Sequence, residues 1–236
     1  MKNPDIEVNS VNDRFTILNG LPDDYPSFNI VGAIMSGFSA PDLEFFANHS
    51  KKIVNSIQES FSIEELRDLP VIKAYRQFYW KYCKVDPTKI RPAGEALLRR
   101  LIQQGELPQI HPIVDAYNLV SAEAAIPMCA YNLPALHLPL KMRLSEQDEL
   151  FHGIGMSKPK KLVEGIPVIE DSKGLISIYP YRDADRSKVI PDTESIVLTA
   201  DGVPGIDKGS LKETLNKAID LIRQFCGGQV QERFDF

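Results

Sequence analysis

The sequence predicts an α+β fold in which helices flank a mixed β-sheet core. Before residue 125, apolar residues recur every three or four positions in several segments, which is typical of helices that bury one face. Between residues 138 and 200 the pattern changes to short apolar runs separated by charged or glycine-bearing turns, which is typical of strands. Helices followed by strands favour α+β over the regular alternation of a parallel sheet. Without a repeat or a linker, residues 1–236 are expected to form a single compact unit.

A strand and a long helix are predicted first. The apolar run at residues 28–35 predicts a buried strand that ends in a turn at Gly37. From Leu43 onwards the apolar spacing is helical, with Ser39 suited to the N-cap and Pro41 to the first turn. A second interpretation of Ser39, as a nucleophile at a G-x-S-x-G elbow, lacks the second glycine.

Two further helices complete a predicted N-terminal helical part, residues 28–90. Ser62 and Glu65 have the spacing of a capping box for a short helix, which Pro70 interrupts. The segment 71–83 is rich in aromatic residues, and its apolar positions repeat at three and four. A ring-stacking platform for RNA is one interpretation of this segment, but a helix face buried in the core is favoured.

The remaining elements are two helices, a group of strands and a last helix. Pro92 opens a helix that Gly105 ends, and Pro112 opens the next. Ser210 and Glu213 are predicted to cap an amphipathic C-terminal helix at residues 210–228. Strands are predicted at residues 141–144, 166–169, 175–179 and 195–200.

Composition limits the class of function. A chain of 236 residues with 43% hydrophobic content can bury a core. No apolar run approaches the roughly 20 residues that a membrane span requires, and residues 1–10 are too polar for a secretory signal. We therefore expect a cytoplasmic protein without membrane association. The three cysteines and four histidines lack the spacings of a disulfide framework or a metal site, so neither a metal nor a cofactor is expected.

The charge balance is unfavourable for binding a polyanion. The net charge is −5, whereas nucleic-acid-binding proteins usually carry a basic stripe. Short basic groups occur at residues 51–52, 99–100 and 158–161, and solvated faces are their favoured interpretation. DNA is not expected as a partner.

Two groups of polar residues are candidates for a site. Asp115, Asn118 and Ser121 follow one another at spacings of three and therefore share one face of the helix that Pro112 opens. The Asn118 amide is suited to bind a ligand carbonyl or a positioned water, or alternatively to bond buried backbone at a helix end. Residues 181–188 place two arginines and two aspartates in a turn, for which a solvated hairpin tip is the alternative.

Four blocks occur in fixed order at residues 87–100, 107–121, Ile126-Pro-Met-Cys-Ala-Tyr-Asn-Leu133 and Tyr181-Arg-Asp-Ala-Asp-Arg-Ser-Lys188. Together they resemble the B3/B4 domain, the editing domain of phenylalanyl-tRNA synthetase. The resemblance covers residues 91–202 almost continuously and implies a free-standing member of the family. It also implies hydrolysis, in trans, of the ester that joins a wrongly attached amino acid to tRNA. An aminoacyl ester is already activated, so a positioned water and oxyanion donors supply most of the catalysis without a catalytic triad.

The resemblance implies roles for individual residues. Asn118 is expected to be catalytic by orienting water or ester. Cys129 and Thr199 stand where the synthetase has a histidine and the glutamate that recognises a tyrosine hydroxyl, so selection of tyrosine is not expected. The residues expected to bind substrate are Tyr117, Ser121, Cys129, Arg182, Asp183, Asp185 and Thr199.

The implied partners are an aminoacylated tRNA and the amino-acid moiety in the pocket. The alternative is a non-catalytic module that uses the same scaffold to bind an amino acid, a related metabolite, tRNA or a protein.

Overall fold

The computed structural model describes residues 15–236, so the prediction concerning a signal at residues 1–10 lies outside the described residues. Five helices are present in this part of the chain, together with a four-stranded sheet, a five-stranded sheet and a two-stranded ribbon. The helices are α1 (Leu43–Ser60), α2 (Pro70–Lys81), α3 (Ala93–Gln104), α4 (Pro112–Ala124) and α5 (Lys208–Cys226). The predicted α+β class is confirmed.

The strands follow in chain order. They are β1 (Ile17–Asn19), β2 (Ile30–Phe38), β3 (Met128–Asn132), β4 (Leu140–Leu144), β5 (Leu150–Phe151), β6 (Lys160–Lys161), β7 (Pro167–Asp171), β8 (Gly174–Ile178), β9 (Arg182–Asp183), β10 (Ser195–Asp201) and β11 (Gly227–Asp235). The predicted strands correspond to β2, β4, β7, β8 and β10 within a few residues.

The four-stranded sheet has the order β11-β2-β10-β3, and all of its pairs are antiparallel. In its centre, β10 places Thr199 opposite Gly32 of β2 on one side and opposite Cys129 of β3 on the other. Strand β10 is therefore buried along nearly its whole length.

The five-stranded sheet has the order β1-β4-β7-β8-β9. Its β1–β4 pair is parallel and the other pairs are antiparallel, so the sheet is mixed, as predicted. An isolated bridge between Tyr131 and Lys188 brings β3 of the first sheet beside the chain that follows β9 of the second.

Helix α2 explains the aromatic-rich segment. Tyr75, Phe78 and Tyr79 are each at most 2% exposed and belong to the main hydrophobic core. The prediction that this segment buries one helix face is confirmed. Trp80 differs from its neighbours because it is 66% exposed.

Two predicted helix caps are wrong. Asp42, rather than Ser39, caps α1, since its carboxylate accepts a hydrogen bond from the Phe45 N–H at 2.9 Å. Asp207, rather than Ser210, caps α5, and accepts from the Ser210 N–H at 2.8 Å. In both places an aspartate stands close to the predicted serine, and its carboxylate reaches the free N–H groups of the first turn.

The second predicted helix and the C-terminus also differ in part. The Glu65 carboxylate accepts from the Ser62 N–H at 3.2 Å, but the chain then forms only a 3₁₀ turn at Leu66–Asp68. The predicted C-terminal helix ends at Cys226, and β11 follows it directly and pairs with β2. Every second residue of β11 is exposed, so its pattern lacks the apolar run of a central strand.

Candidate functional site

Helix α4 is held at both ends by polar side chains from the predicted site. The Asp115 carboxylate accepts from the backbone N–H of Ile110 at 2.8 Å, just before the helix begins. Burial raises the pKa of Asp115, and these backbone donors partly oppose the rise. At the other end, the buried Ser121 hydroxyl donates to the Ile126 carbonyl at 2.6 Å. Both groups therefore support the ends of α4, and substrate binding by Ser121 stays a prediction.

The middle of α4 carries Tyr117 and Asn118. Tyr117 is buried beside Cys129 and Asp183, and its burial, followed by the proximity of these two groups, raises its pKa well above the usual range. Asn118 is half-buried. Within residues 15–236, neither the Tyr117 hydroxyl nor the Asn118 amide forms a hydrogen bond. Both donors therefore remain able to bind a further polar group.

Strand alternation places several polar side chains on one face of the four-stranded sheet. Because Cys129 pairs directly with Thr199, the two side chains lie on the same face, and so do residues two positions along each strand. Tyr131 on β3 and Asp201 at the end of β10 therefore join this face.

The second sheet contributes Asp183 to the same cluster. The Tyr131 hydroxyl donates to Asp183 Oδ1 at 2.9 Å, and the Cys129 thiol donates to Asp201 Oδ2 at 3.2 Å. The thiol also interacts with Asp183, so it lies near both carboxylates. We name Cys129, Tyr131, Asp183 and Asp201 the acidic cluster.

Burial governs the electrostatics of the acidic cluster. Removal from water, with repulsion from Asp183 in addition, raises the pKa of Asp201 to about 7. Burial also raises the pKa of Asp183, although hydrogen bonds from Cys129 and Tyr131 partly offset the rise. Two close carboxylates in a buried site do not both ionise readily, so the pair holds a proton near neutral pH. Such a pair is suited to accept and return a proton during catalysis.

The thiol of Cys129 has a different character. Burial, together with the two neighbouring carboxylates, raises its pKa well above the usual value. A protonated thiol is a weak nucleophile. Cys129 is therefore suited to hydrogen bonding within the cluster and unsuited to covalent catalysis.

Two hydroxyls border the cluster. Thr199 Oγ1 lies near Asp201, and Ser177 Oγ lies near Asp183 and Tyr131. Neither forms a hydrogen bond of normal geometry, although both are buried. Buried polar groups without partners are uncommon in folded proteins, so these hydroxyls add to the capacity of the site for a polar ligand.

The arginine–aspartate turn is divided between two surfaces. Arg182 donates from Nη1 to the Ile154 carbonyl at 3.0 Å and lies over the Tyr181 ring, on the side away from Asp183. This follows from the pleat of β9, since neighbouring strand residues point to opposite faces. Asp185 forms an ion pair with Lys188 at 2.7 Å. Of the turn residues predicted to bind substrate, the structure brings only Asp183 into the acidic cluster, and the roles of Arg182 and Asp185 stay predictions.

The main open cavity lies away from this cluster. A cavity of about 1010 Å³ separates α1 from α4 and the loop before it, and its lining includes Lys51, Gln58, Arg100 and Asp115. A smaller cavity of about 380 Å³ contains Asp185 and His152. Neither is lined by a member of the acidic cluster, although Asp183 itself is half-buried and so partly accessible from the surface.

Sequence reasoning missed Asp201 and Tyr131. Asp201 directly follows the predicted strand at residues 195–200 and is one of 32 acidic residues. The available signal was its position two residues after Thr199, which predicts a shared face. Asp201 could be placed near Cys129 only with the strand register, which sets Thr199 opposite Cys129.

Two features are lacking within residues 15–236. There, no group of three or more histidine, cysteine or acidic side chains is placed to hold a metal ion. Likewise, no helix in this range is long and apolar enough to cross a membrane.

The chain is similar in sequence to known proteins. The family model of the B3/4 domain matches residues 74–227. The β subunit of phenylalanine–tRNA ligase from Haemophilus ducreyi is 26% identical over 159 residues, which cover 57% of this chain and 20% of that subunit. The corresponding subunit from Tropheryma whipplei is 29% identical over 111 residues, which cover 47% of this chain and 11% of that subunit. The chain thus spans a fifth or less of these relatives.

A solved structure is also similar. It is an N-terminal fragment of the phenylalanyl-tRNA synthetase β subunit from Pyrococcus horikoshii, with a TM-score of 0.44 and 13% identity. The similar region covers 78% of this chain and 77% of that fragment.

Proposed function

Because this chain belongs to the B3/4 domain family, we propose that it binds tRNA and hydrolyses the ester of a mischarged aminoacyl-tRNA in trans. The observation that carries the proposal is the acidic cluster, which sets the buried Asp201 and the half-buried Asp183, both of raised pKa, near the Tyr117 hydroxyl of α4. A cytoplasmic location, where aminoacyl-tRNAs are used, is part of this proposal.

In the proposed reaction a water molecule attacks the ester carbonyl. The ionised member of the Asp183–Asp201 pair takes a proton from that water as the new C–O bond forms. The carbonyl oxygen becomes negatively charged, and the Tyr117 hydroxyl and the Asn118 amide donate hydrogen bonds to it. When the intermediate collapses, the bond to the ribose oxygen breaks and that oxygen receives the proton. The products are the free amino acid and the uncharged tRNA.

The raised pKa of Cys129 supports attack by water over attack by sulfur. A thiolate nucleophile requires a lowered thiol pKa, and the neighbouring carboxylates act in the opposite direction. Thr199 and Cys129 are then expected to contact the amino-acid moiety, and Ser121, Arg182 and Asp185 remain candidates for substrate contacts.

A second candidate function is a binding module without catalysis. It is favoured by one observation, that the acidic cluster opens into neither the 1010 Å³ nor the 380 Å³ cavity. In this function the scaffold binds an amino acid, a related metabolite, tRNA or a protein, and the acidic pair is structural.

A deacylation assay separates the two functions. Purified protein is incubated with a panel of radiolabelled aminoacyl-tRNAs, and loss of the ester is followed over time. We expect accelerated loss for at least one of them. Asp201→Asn is expected to reduce the rate by about 100-fold or more, since general-base catalysis contributes about 10²–10⁴. Asn118→Ala removes a donor to the oxyanion and is also expected to reduce the rate by about 100-fold or more. Asp220→Asn, a substitution of the same type on the exposed side of α5, should leave the rate unchanged.

Absence of acceleration for every aminoacyl-tRNA, with the protein in excess over substrate, would refute the deacylase. Thermal unfolding in the presence of each of the twenty amino acids then tests the binding module, because a ligand that binds only the native state raises the midpoint.

A further inference from the structure

The charge of the chain is distributed very unevenly. Residues 70–100 contain eight lysines and arginines against two acidic residues, which is a net charge of +6. The whole chain carries −5, so the rest of it carries −11. The basic residues of this segment are Lys73, Arg76, Lys81, Lys84, Lys89, Arg91, Arg99 and Arg100. Although the chain as a whole is acidic, the segment made of α2, α3 and the chain between them is therefore basic.

Three of the arginines meet at one buried carboxylate. Glu95 Oε1 lies 2.6 Å from Arg76 Nη2, 2.8 Å from Arg99 Nε and 3.9 Å from Arg91 Nε. Burial alone would raise the pKa of Glu95, but the hydrogen bonds from Arg76 and Arg99 hold it below its ordinary value. One ionised carboxylate among three guanidinium groups leaves a local charge of +2.

The arginines retain donors for a second anion. Arg99 uses only its Nε on Glu95, and Arg91 is too distant for a hydrogen bond to it. The Arg91 side chain is 45% exposed. Since a guanidinium group carries five N–H donors in a planar fork, this arrangement matches the geometry of a phosphate group.

Trp80 lies beside this charge cluster. It follows Arg76 by four positions on α2, so the two side chains are neighbours on one helix face. It is the only tryptophan of the chain and is 66% exposed, while the other large aromatic residues of α2 are buried. Lys73, three positions before Arg76, lies on the same face, where it pairs with Asp68 at 3.1 Å.

We propose that this outer face of α2, together with Arg91 and Arg99, is an RNA-docking surface that contacts phosphates and stacks a base on Trp80. The inference rests on the proposed function and names where its tRNA binds. A purely structural role explains Glu95, which joins α2 to α3, but it leaves the surplus charge and the exposed indole ring without a use. Proteins that bind single-stranded nucleic acids combine two features. Basic side chains contact the phosphate backbone of the nucleic acid, and exposed aromatic rings stack on its bases.

The surface and the acidic cluster lie on opposite sides of the same helix. The Tyr75 hydroxyl donates to the Asp201 carbonyl at 2.7 Å, and the Tyr79 hydroxyl donates to the Pro180 carbonyl at 3.2 Å. A helix with its side chains is about 10 Å across. RNA bound to the outer face of α2 thus lies about one helix diameter from the end of β10 that carries Asp201.

Uncharged tRNA tests the surface independently of hydrolysis. Because Trp80 is the only tryptophan, its fluorescence should be quenched as tRNA is added, and the quenching should weaken with salt. Anisotropy of fluorescently labelled tRNA gives the affinities of the variants. Trp80→Ala is expected to weaken binding about fivefold or more, whereas Trp80→Phe, which keeps a ring, should retain most of the affinity. Arg91→Ala should weaken binding and reduce the slope of log affinity against log salt by about 1.

The matched control is Lys217→Ala, which removes one exposed cation from α5 and should leave binding unchanged. If tRNA binds but Trp80→Ala and Arg91→Ala bind as tightly as the wild type, the surface is wrong while the proposed function stands. Two results would overturn the RNA-docking surface. If tRNA does not bind, the surface has no RNA partner. If polyglutamate quenches the Trp80 fluorescence as strongly as tRNA does, the surface does not select RNA and an acidic protein is the better partner. If Asp201→Asn loses hydrolysis but binds tRNA as tightly as the wild type, hydrolysis depends on the acidic cluster and tRNA binding depends on the RNA-docking surface.

Discussion

Replacing Asp201 with asparagine removes an ionisable group from the acidic cluster and should change how stability depends on pH. The pKa of Asp201 rises from 3.8 to about 7 because its side chain is buried and lies near Asp183. Between these two values, the folded protein keeps a proton that the unfolded chain has released. Stability must therefore fall as pH rises through this window. A difference of about three pKa units corresponds to about 4 kcal/mol.

The other groups around Asp201 contribute little over this window. Tyr75, Tyr179 and Cys129 have pKa values raised well above their ordinary ranges, primarily by burial, and so remain protonated. Asp183 is the neighbour that also titrates, and its own raised pKa gives a dependence of the same sign. In Asp201→Asn the dependence due to Asp183 remains, since burial is what raises its pKa.

Urea unfolding between about pH 4 and about pH 8 measures the effect. The wild type should lose stability across this range, and Asp201→Asn should lose up to about 4 kcal/mol less, so that the variant is the more stable protein at the upper end. Asp220→Asn serves as the control because its carboxylate is exposed, and its profile should run parallel to that of the wild type. A constant difference between Asp201→Asn and wild type at every pH would refute the reasoning, because it would mean that Asp201 titrates equally in both states.

Three further substitutions test the packing that supports the site. In Gly94→Ala the new Cβ would lie 2.6 Å from the Ala125 carbonyl oxygen, so urea unfolding should show a loss of about 1–2 kcal/mol in the free energy of unfolding. At an ordinary helix position the same substitution would increase stability. The control Ala96→Gly, at an exposed position of α3, should lower the free energy of unfolding by about 1 kcal/mol. Glu95→Gln leaves three arginines without their carboxylate and should lower the free energy of unfolding by about 3 kcal/mol. An unchanged free energy of unfolding would mean that the ion-pair network does not stabilise the fold. Tyr75→Phe deletes a buried hydrogen bond to the end of β10 and should lower the free energy of unfolding by about 1–3 kcal/mol, measured in the same way; an unchanged value would contradict the contact.

The helices were the most predictable part of the fold because their signals are local. The apolar period, an opening proline and a closing glycine identified both ends of α3 to within a residue or two, and Pro112 identified the start of α4. The N-caps were less predictable, since serine and aspartate suit the position equally and the choice depends on where the preceding chain leaves the sheet. Strand β11 was missed because it is a polar edge strand, and its pairing with β2 is a contact between distant parts of the sequence.

The family could be recognised from four ordered sequence blocks, and the match to residues 74–227 confirms it. The sequence also identified Asn118, Tyr117, Cys129 and Asp183 as candidates, and the structure brings the last three together. It did not reveal that Asp183 meets Asp201, because the two residues belong to different sheets and their approach depends on the packing of those sheets.

The amino-acid sequence by itself determined the fold class, most helix boundaries and the family, because periodicity, capping residues and ordered motifs act over short distances along the chain. Tertiary structure alone decided which carboxylates share the acidic cluster, that Arg182 points away from it, and that the basic residues of α2 and α3 converge around Glu95. The physical reason is that pKa, burial and local charge depend on neighbours in space. The local excess of positive charge on one surface therefore could not be inferred from the net charge of −5 of the whole chain.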